Sequence, residues 1–190
     1  MGFTYFNDKR WSQITRDERF FCQRLYELIR KDSPERFISY LHDKRGLDIP
    51  MEGEWEVGYE VCFYRDLWQH RGRKDLLFSP KRTFDLCLFG ENAIVIIEAK
   101  AATGFDPNQN AVFAKDTDEV MRLTGVDTVR LMGLCSSKYT PDDAISAVFN
   151  GPIITWREMA TRYGDDEVLL RADDVYEPHE AFANAGNLRI

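Results

Sequence analysis

Residues 82–100, RTFDLCLFGENAIVIIEAK, constrain this chain more than any other stretch: two short apolar runs meet at Gly90-Glu91-Asn92, and the second ends in Glu98-Ala99-Lys100. Turn residues between runs rich in Ile, Val, Leu and Phe specify a tight antiparallel hairpin, with strands over 84–89 and 93–99. The loop admits two registers. If Glu91 and Asn92 form the turn, Asp85 lies directly across from Glu98, with Cβ atoms about 5 Å apart. If Gly90 and Glu91 form it, Asp85 faces Ile96 and is diagonal to Glu98. Both registers put the two carboxylates on one face of the sheet. Strand alternation adds Lys100 to that face, while Ala99 points the other way.

The rest of the hairpin, including Leu86, Leu88, Ile94, Val95, Ile96 and Ile97, is apolar, so charges at its end are costly unless they are neutralised. Two carboxylates side by side resist joint ionisation and form a site for a hard divalent cation. Mg²⁺ is typically held by one or two carboxylates together with waters and substrate phosphate. Asp85, twelve intervening residues and then Glu98-x-Lys100 resemble the core of the PD-(D/E)XK nuclease superfamily, which has the restriction-endonuclease-like fold. The proline of that name is absent, since Phe84 precedes Asp85.

The resemblance implies an α/β domain: an αβββαβ core over residues 15–137, a central mixed sheet flanked by helices, and a C-terminal helical extension over 138–190. The sequence supplies those elements in order. Residues 15–30 read as a helix with Thr15 as N-cap and Glu18 three residues on, followed by Phe21, Cys22, Leu25, Leu28 and Ile29 at helical spacing. Glu18 is in phase with that stripe. The resemblance makes it the acidic residue of the first helix that approaches the metal; an ordinary capping-box glutamate is the other reading. Ser33 and Pro34 open a second helix over 34–44, and Glu54 to Tyr64 alternates as a half-buried strand. After Lys100, Asp106-Pro107-Asn108 starts a helix that runs to Gly125 with Gln109, Val112, Phe113, Asp116, Val120 and Leu123 at helical spacing. Gln109 with Phe113 resembles the superfamily's Gln-xxx-aromatic motif, which faces the active site. A strand over 126–135, a helix over 143–149, a short strand at 152–154 and a helix after Thr155 follow. The tail from Asp165 to Glu180 carries seven acidic residues against Arg171.

A chain of 190 residues suits one domain and can bury a core without disulfides or metal staples. Cys22, Cys62, Cys87 and Cys135 are scattered in apolar contexts and read as reduced core residues. No run approaches the ~20 apolar residues of a membrane span, and MGFTYFNDKRW lacks a signal-peptide core, so a cytoplasmic location is expected. The net charge of −7 opposes nucleic-acid binding over the whole surface. One stretch departs from it: residues 65–82 hold Arg65, Arg71, Arg73, Lys74, Lys81 and Arg82 against Asp66 and Asp75. Arg71, Arg73, Lys74, Lys81 and Arg82 are the candidate phosphate contacts, and a solvated loop is the alternative.

The resemblance implies a Mg²⁺-dependent hydrolase that cleaves nucleic acid, with Mn²⁺ as a substitute ion and a DNA endonuclease as the first expectation. Asp85, Glu98 and the Ala99 carbonyl would hold the metal, Lys100 would orient the attacking water, and Glu18 and Gln109 would support the site. The partner is nucleic acid, DNA before RNA; a homodimer is compatible with the reading. A second reading, from another class, is a non-catalytic partner-binding or regulatory protein that kept the nuclease fold. Net acidity favours it and the intact Asp, Glu and Lys set opposes it. A third is a domain whose Glu-x-Lys is fortuitous, which predicts no metal binding.

Overall fold

The hairpin adopts the first of the two registers. Leu86 pairs with Ile97, Cys87 with Ile96, Leu88 with Val95 and Phe89 with Ile94, and the Gly90 amide donates to the Ala93 carbonyl at 2.8 Å across the Glu91-Asn92 turn. Gly90 is required there because a Cβ would lie 2.8 Å from the Trp55 ring. In a computed structural model that describes residues 7–66, 82–106 and 110–178, the hairpin forms the centre of a five-stranded mixed sheet. The strands are β1 (Glu56–Val61), β2 (Phe84–Phe89), β3 (Ala93–Ala99), β4 (Thr128–Cys135) and β5 (Ile153–Thr155), in that spatial order. β2 pairs antiparallel with both β1 and β3; β3, β4 and β5 run parallel.

A central strand in a sheet covered on both faces must be apolar throughout. β3 meets that demand: all seven of its residues are buried, Glu98 among them. One face packs against α2 (Glu18–Asp32), α3 (Pro34–Arg45), α6 (Trp156–Arg162) and α7 (Glu167–Asp174), joining Phe21, Leu25, Phe37, Trp156 and Leu169 to Leu86, Val95 and Ile97. The other packs against α4 (Asn110–Thr124) and α5 (Asp143–Ser146), joining Val120, Leu123 and Ile145 to Cys87, Ile94 and Ile96. A one-turn helix, α1 (Trp11–Ile14), precedes them. The chain is therefore an α/β domain with an open mixed sheet flanked by helices. All four cysteines are buried thiols outside any disulfide, and no helix among the described residues is long and apolar enough to cross a membrane.

Two local expectations are corrected, and the C-terminal helical extension takes definite form. Thr15 does not cap α2: it ends α1, and Asp17 is the N-cap, accepting from the Arg19 amide. Glu18 is thus the first helical residue, free of capping-box duty. β1 ends at Val61, short of Tyr64. The acidic tail contains α7, whose Leu169 and Ala172 are fully buried; its carboxylates obscure a four-residue apolar spacing that the sheet face needs. One of them, Asp173, is itself buried, where it accepts from the Ser137 amide and hydroxyl and from the Arg157 backbone.

Candidate metal and phosphate site

The carboxyl end of β3 is where the charged residues gather. Continuing the register past Leu86↔Ile97 places Asp85 opposite Glu98, and its carboxylate accepts the Ala99 amide at 2.8 Å. On the other side of β2, the pairs Tyr59↔Leu86 and Val61↔Phe84 bracket Glu60, which sits beside Asp85 with φ +52°. A non-glycine residue in the left-handed region costs about 1–2 kcal/mol, and this one adjoins the acidic cluster. Asp85 therefore has an acidic neighbour in each flanking strand, and its carboxyl is pushed up, first by burial, against the pull of the Ala99 amide and of Lys100.

Glu18 reaches the same end from the first turn of α2. Its carboxylate accepts the Ala101 amide at 3.0 Å and the Lys100 ammonium at 3.2 Å. Burial raises its pKa, Lys100 pulls it back, and Asp85 adds to the rise. The backbone of Lys100 is fixed from two sides, by its own amide donating to the Leu134 carbonyl at 2.7 Å and by the Trp156 indole donating to its carbonyl at 3.0 Å. Its Nζ also donates to the Ala99 carbonyl at 2.9 Å. Burial works to discharge this ammonium, but Glu18 and Asp85 more than offset that and hold its pKa above the usual lysine value, so it stays protonated.

Glu98, with its side chain only 6% exposed, faces α4 and receives the Arg82 guanidinium at 2.7 Å. Arg82 in turn meets Asp116 of α4, which is equally buried. Burial pushes Glu98 up to about 8 against the pull of Arg82, and pushes Asp116 up as well. Arg82, expected to meet phosphate, is engaged inside the chain by these two carboxylates. Asp116, which helical spacing places on the apolar stripe but which was not among the expected site residues, belongs to this cluster. The signal that finds it is an aspartate in phase with Val120 and Leu123, on the face that packs onto the sheet.

Of the residues proposed from the sequence, the structure brings together Glu18, Asp85, Glu98, Ala99, Lys100 and Arg82 and adds Asp116 and Glu60. Gln109, Arg71, Arg73, Lys74 and Lys81 lie outside the described residues. Among the described residues, no three histidine, cysteine or acidic side chains stand gathered as a metal cage. Chain donors fill the intended positions: Arg82 on Glu98 and Lys100 on the Ala99 carbonyl. The charge balance still fits a divalent ion. Among the described residues, four partly or fully buried carboxyl groups, Glu18, Asp85, Glu98 and Asp116, face two cations, Arg82 and Lys100, an excess of acidic groups that suits a divalent ion where water is scarce. No protein-family model matches the chain, and no curated protein matches it in sequence.

Proposed function

We propose that this protein is a Mg²⁺-dependent nuclease of the PD-(D/E)XK kind, with a restriction-endonuclease-like core, acting on DNA. The observation that carries the reading is the convergence of Glu18 from α2, Asp85 from β2 and Glu98 with Lys100 from β3 at one end of a mixed sheet, where a lysine and an excess of carboxylates share a buried patch. Crevices outside the carboxyl ends of strands are where open α/β sheets bind ligands.

Asp85, Glu98 and the Ala99 carbonyl would hold the ion, which supplies stabilisation of charge on the phosphate and eases deprotonation of bound water. Lys100 contributes a permanent positive charge beside them, suited to the negative charge that develops on the phosphate in the transition state. Glu18 holds that ammonium in place, since its other oxygen is pinned by the Ala101 amide. The Asp85 carboxylate is aimed by the Ala99 amide, which ties a residue of β2 to the backbone of β3. Supercoiled plasmid incubated with the protein and Mg²⁺ or Mn²⁺ should be nicked by the wild type and spared by Lys100→Ala. Intact DNA and RNA with the wild type would overturn the reading.

One observation favours the second reading, a non-catalytic partner-binding protein that kept the fold. Both Glu98 and the Ala99 carbonyl already receive cations of the chain itself, and the net charge of −7 repels a polyanion. That reading keeps the architecture and predicts no cleavage.

A further inference from the structure

Arg82 rests on three supports that differ in their dependence on the site. Its Nε donates to Asp116 Oδ2 at 2.9 Å, and its Nη2 lies 2.7 Å from the same oxygen as an ion-pair contact. Its guanidinium carbon lies 4.5 Å from the centroid of the Phe84 ring. Only the third support, Nη2 to Glu98 Oε1 at 2.7 Å, involves a candidate metal ligand. Asp116 and Phe84 would keep the guanidinium in place if the Glu98 contact opened, because a charge-assisted hydrogen bond, an ion-pair contact and a ring face remain. Glu98 and Asp116 meanwhile share one guanidinium between two buried carboxylates, so neither is fully neutralised by it.

We propose that Arg82 is a tethered counter-ion that occupies Glu98 in the metal-free protein, competes there with a divalent cation, and passes wholly to Asp116 when the cation binds. The proposal rests on the metal-dependent reading above and adds the regulation of that site. An ionised, buried Glu98 needs a positive partner, and the tether supplies one in the absence of metal. Asp116 is then the positioning residue: it takes the displaced guanidinium, so that metal entry breaks one hydrogen bond of Arg82 and strands no charge. The two residues act on metal affinity in opposite directions, which a purely structural ion-pair network would not do.

Calorimetric titration of Mn²⁺ into the intact protein tests this. Arg82→Met removes the competitor and should bind Mn²⁺ at least about tenfold more tightly than the wild type. Asp116→Asn takes an ionised partner from Arg82, leaves the guanidinium more firmly on Glu98, and should bind about tenfold more weakly. Circular dichroism confirms that each variant is folded. Equal or weaker binding by a folded Arg82→Met, with the wild type binding normally, overturns the proposal and leaves the metal reading standing. If neither protein binds Mn²⁺, the metal reading falls and takes the proposal with it; binding by Arg82→Met alone supports both. Should Arg82→Met fail to fold, a wild-type crystal soaked in Mn²⁺ decides. Arg82 on Asp116 and off Glu98 supports the tether. Arg82 still donating to Glu98, with Mn²⁺ at Asp85 or with no Mn²⁺ in the site at all, overturns it.

Discussion

The Ala99 amide donates to the Asp85 carboxylate at 2.8 Å, so the acid of β2 is fastened to the backbone of β3 between Glu98 and Lys100. This bond separates a structural from a chemical role for Asp85. Ala99 is fully buried, and removing its acceptor leaves an amide without a partner, which costs about 1–3 kcal/mol. Asp85→Ala should therefore lose Mn²⁺ binding and that much stability, whereas Asp85→Asn, which keeps an acceptor oxygen, should lose the metal with near-native stability. Urea unfolding beside calorimetry reads both quantities; undiminished Mn²⁺ affinity in either variant removes Asp85 from the site.

Lys100 is not a ligand, so its loss should uncouple binding from chemistry. Lys100→Ala should lower cleavage by about 10²–10³-fold, the loss typical of one removed electrostatic donor. Its Mn²⁺ affinity should match or exceed the wild type, because a cation leaves the Ala99 carbonyl and Glu18. Cleavage rates at saturating Mn²⁺ check the first half and calorimetry the second. A variant that binds no metal would mean that Lys100 holds the site together and does no more.

The sequence made Asp85, Glu98 and Lys100 legible because a two-residue turn between apolar runs fixes a register, and a register fixes which side chains face each other. Of the two registers that the loop allowed, only packing could choose, and Trp55 against Gly90 sits at the turn that was chosen. Glu18 was legible by phase, although its helix starts two residues later than its capping pattern suggests, since Asp17 and not Thr15 is the cap. Asp116 and the inward turn of Arg82 were not legible. A guanidinium in a basic run reads as a surface group until the helix from across the face brings it a carboxylate, and that pairing spans 34 positions of chain. Glu60 escaped for a similar reason: alternation places it on the polar side of β1, and only the pairing with β2 sets it beside Asp85.

Stability should fall as pH rises from acid to mildly alkaline values. Burial holds Glu98 at about 8 in the folded chain, above its ordinary 4.5. Between those values the native state keeps a proton that the unfolded state has released, so the native state is favoured below the window and progressively loses that advantage through it. A single such group gives a slope of up to about 1.4 kcal/mol per pH unit. Asp85, Glu18 and Asp116 are shifted in the same direction and add to it. Glu98→Gln should flatten the dependence and raise stability most at the alkaline end. Urea midpoints across about pH 5 to 9 measure it, and a wild-type curve that rises through that range contradicts the burial of an ionisable Glu98.

The remaining question is how a protein with net charge −7 would hold a polyanion, and the positive charge must then be local. Residues 65–82 carry six basic residues against two acidic ones, but the two described ends of the stretch are already used. Arg65 pairs with Asp66 at 2.6 Å, and Arg82 is held by Glu98 and Asp116. Phosphate contact therefore falls to Arg71, Arg73, Lys74 and Lys81. Replacing Arg71, Arg73 and Lys74 with Ala should weaken binding to duplex DNA at every sequence and flatten its salt dependence, by up to about three units of slope if all three meet phosphates. Fluorescence anisotropy across a salt series, with Ca²⁺ in place of Mg²⁺ to prevent cleavage, gives affinity and slope together. Because the triple variant leaves Glu18, Asp85, Glu98 and Lys100 in place, its Mn²⁺ affinity should match the wild type. Unchanged DNA affinity and slope would mean that the stretch is a solvated loop, and the weight would pass to a protein that kept the fold and binds a partner other than nucleic acid.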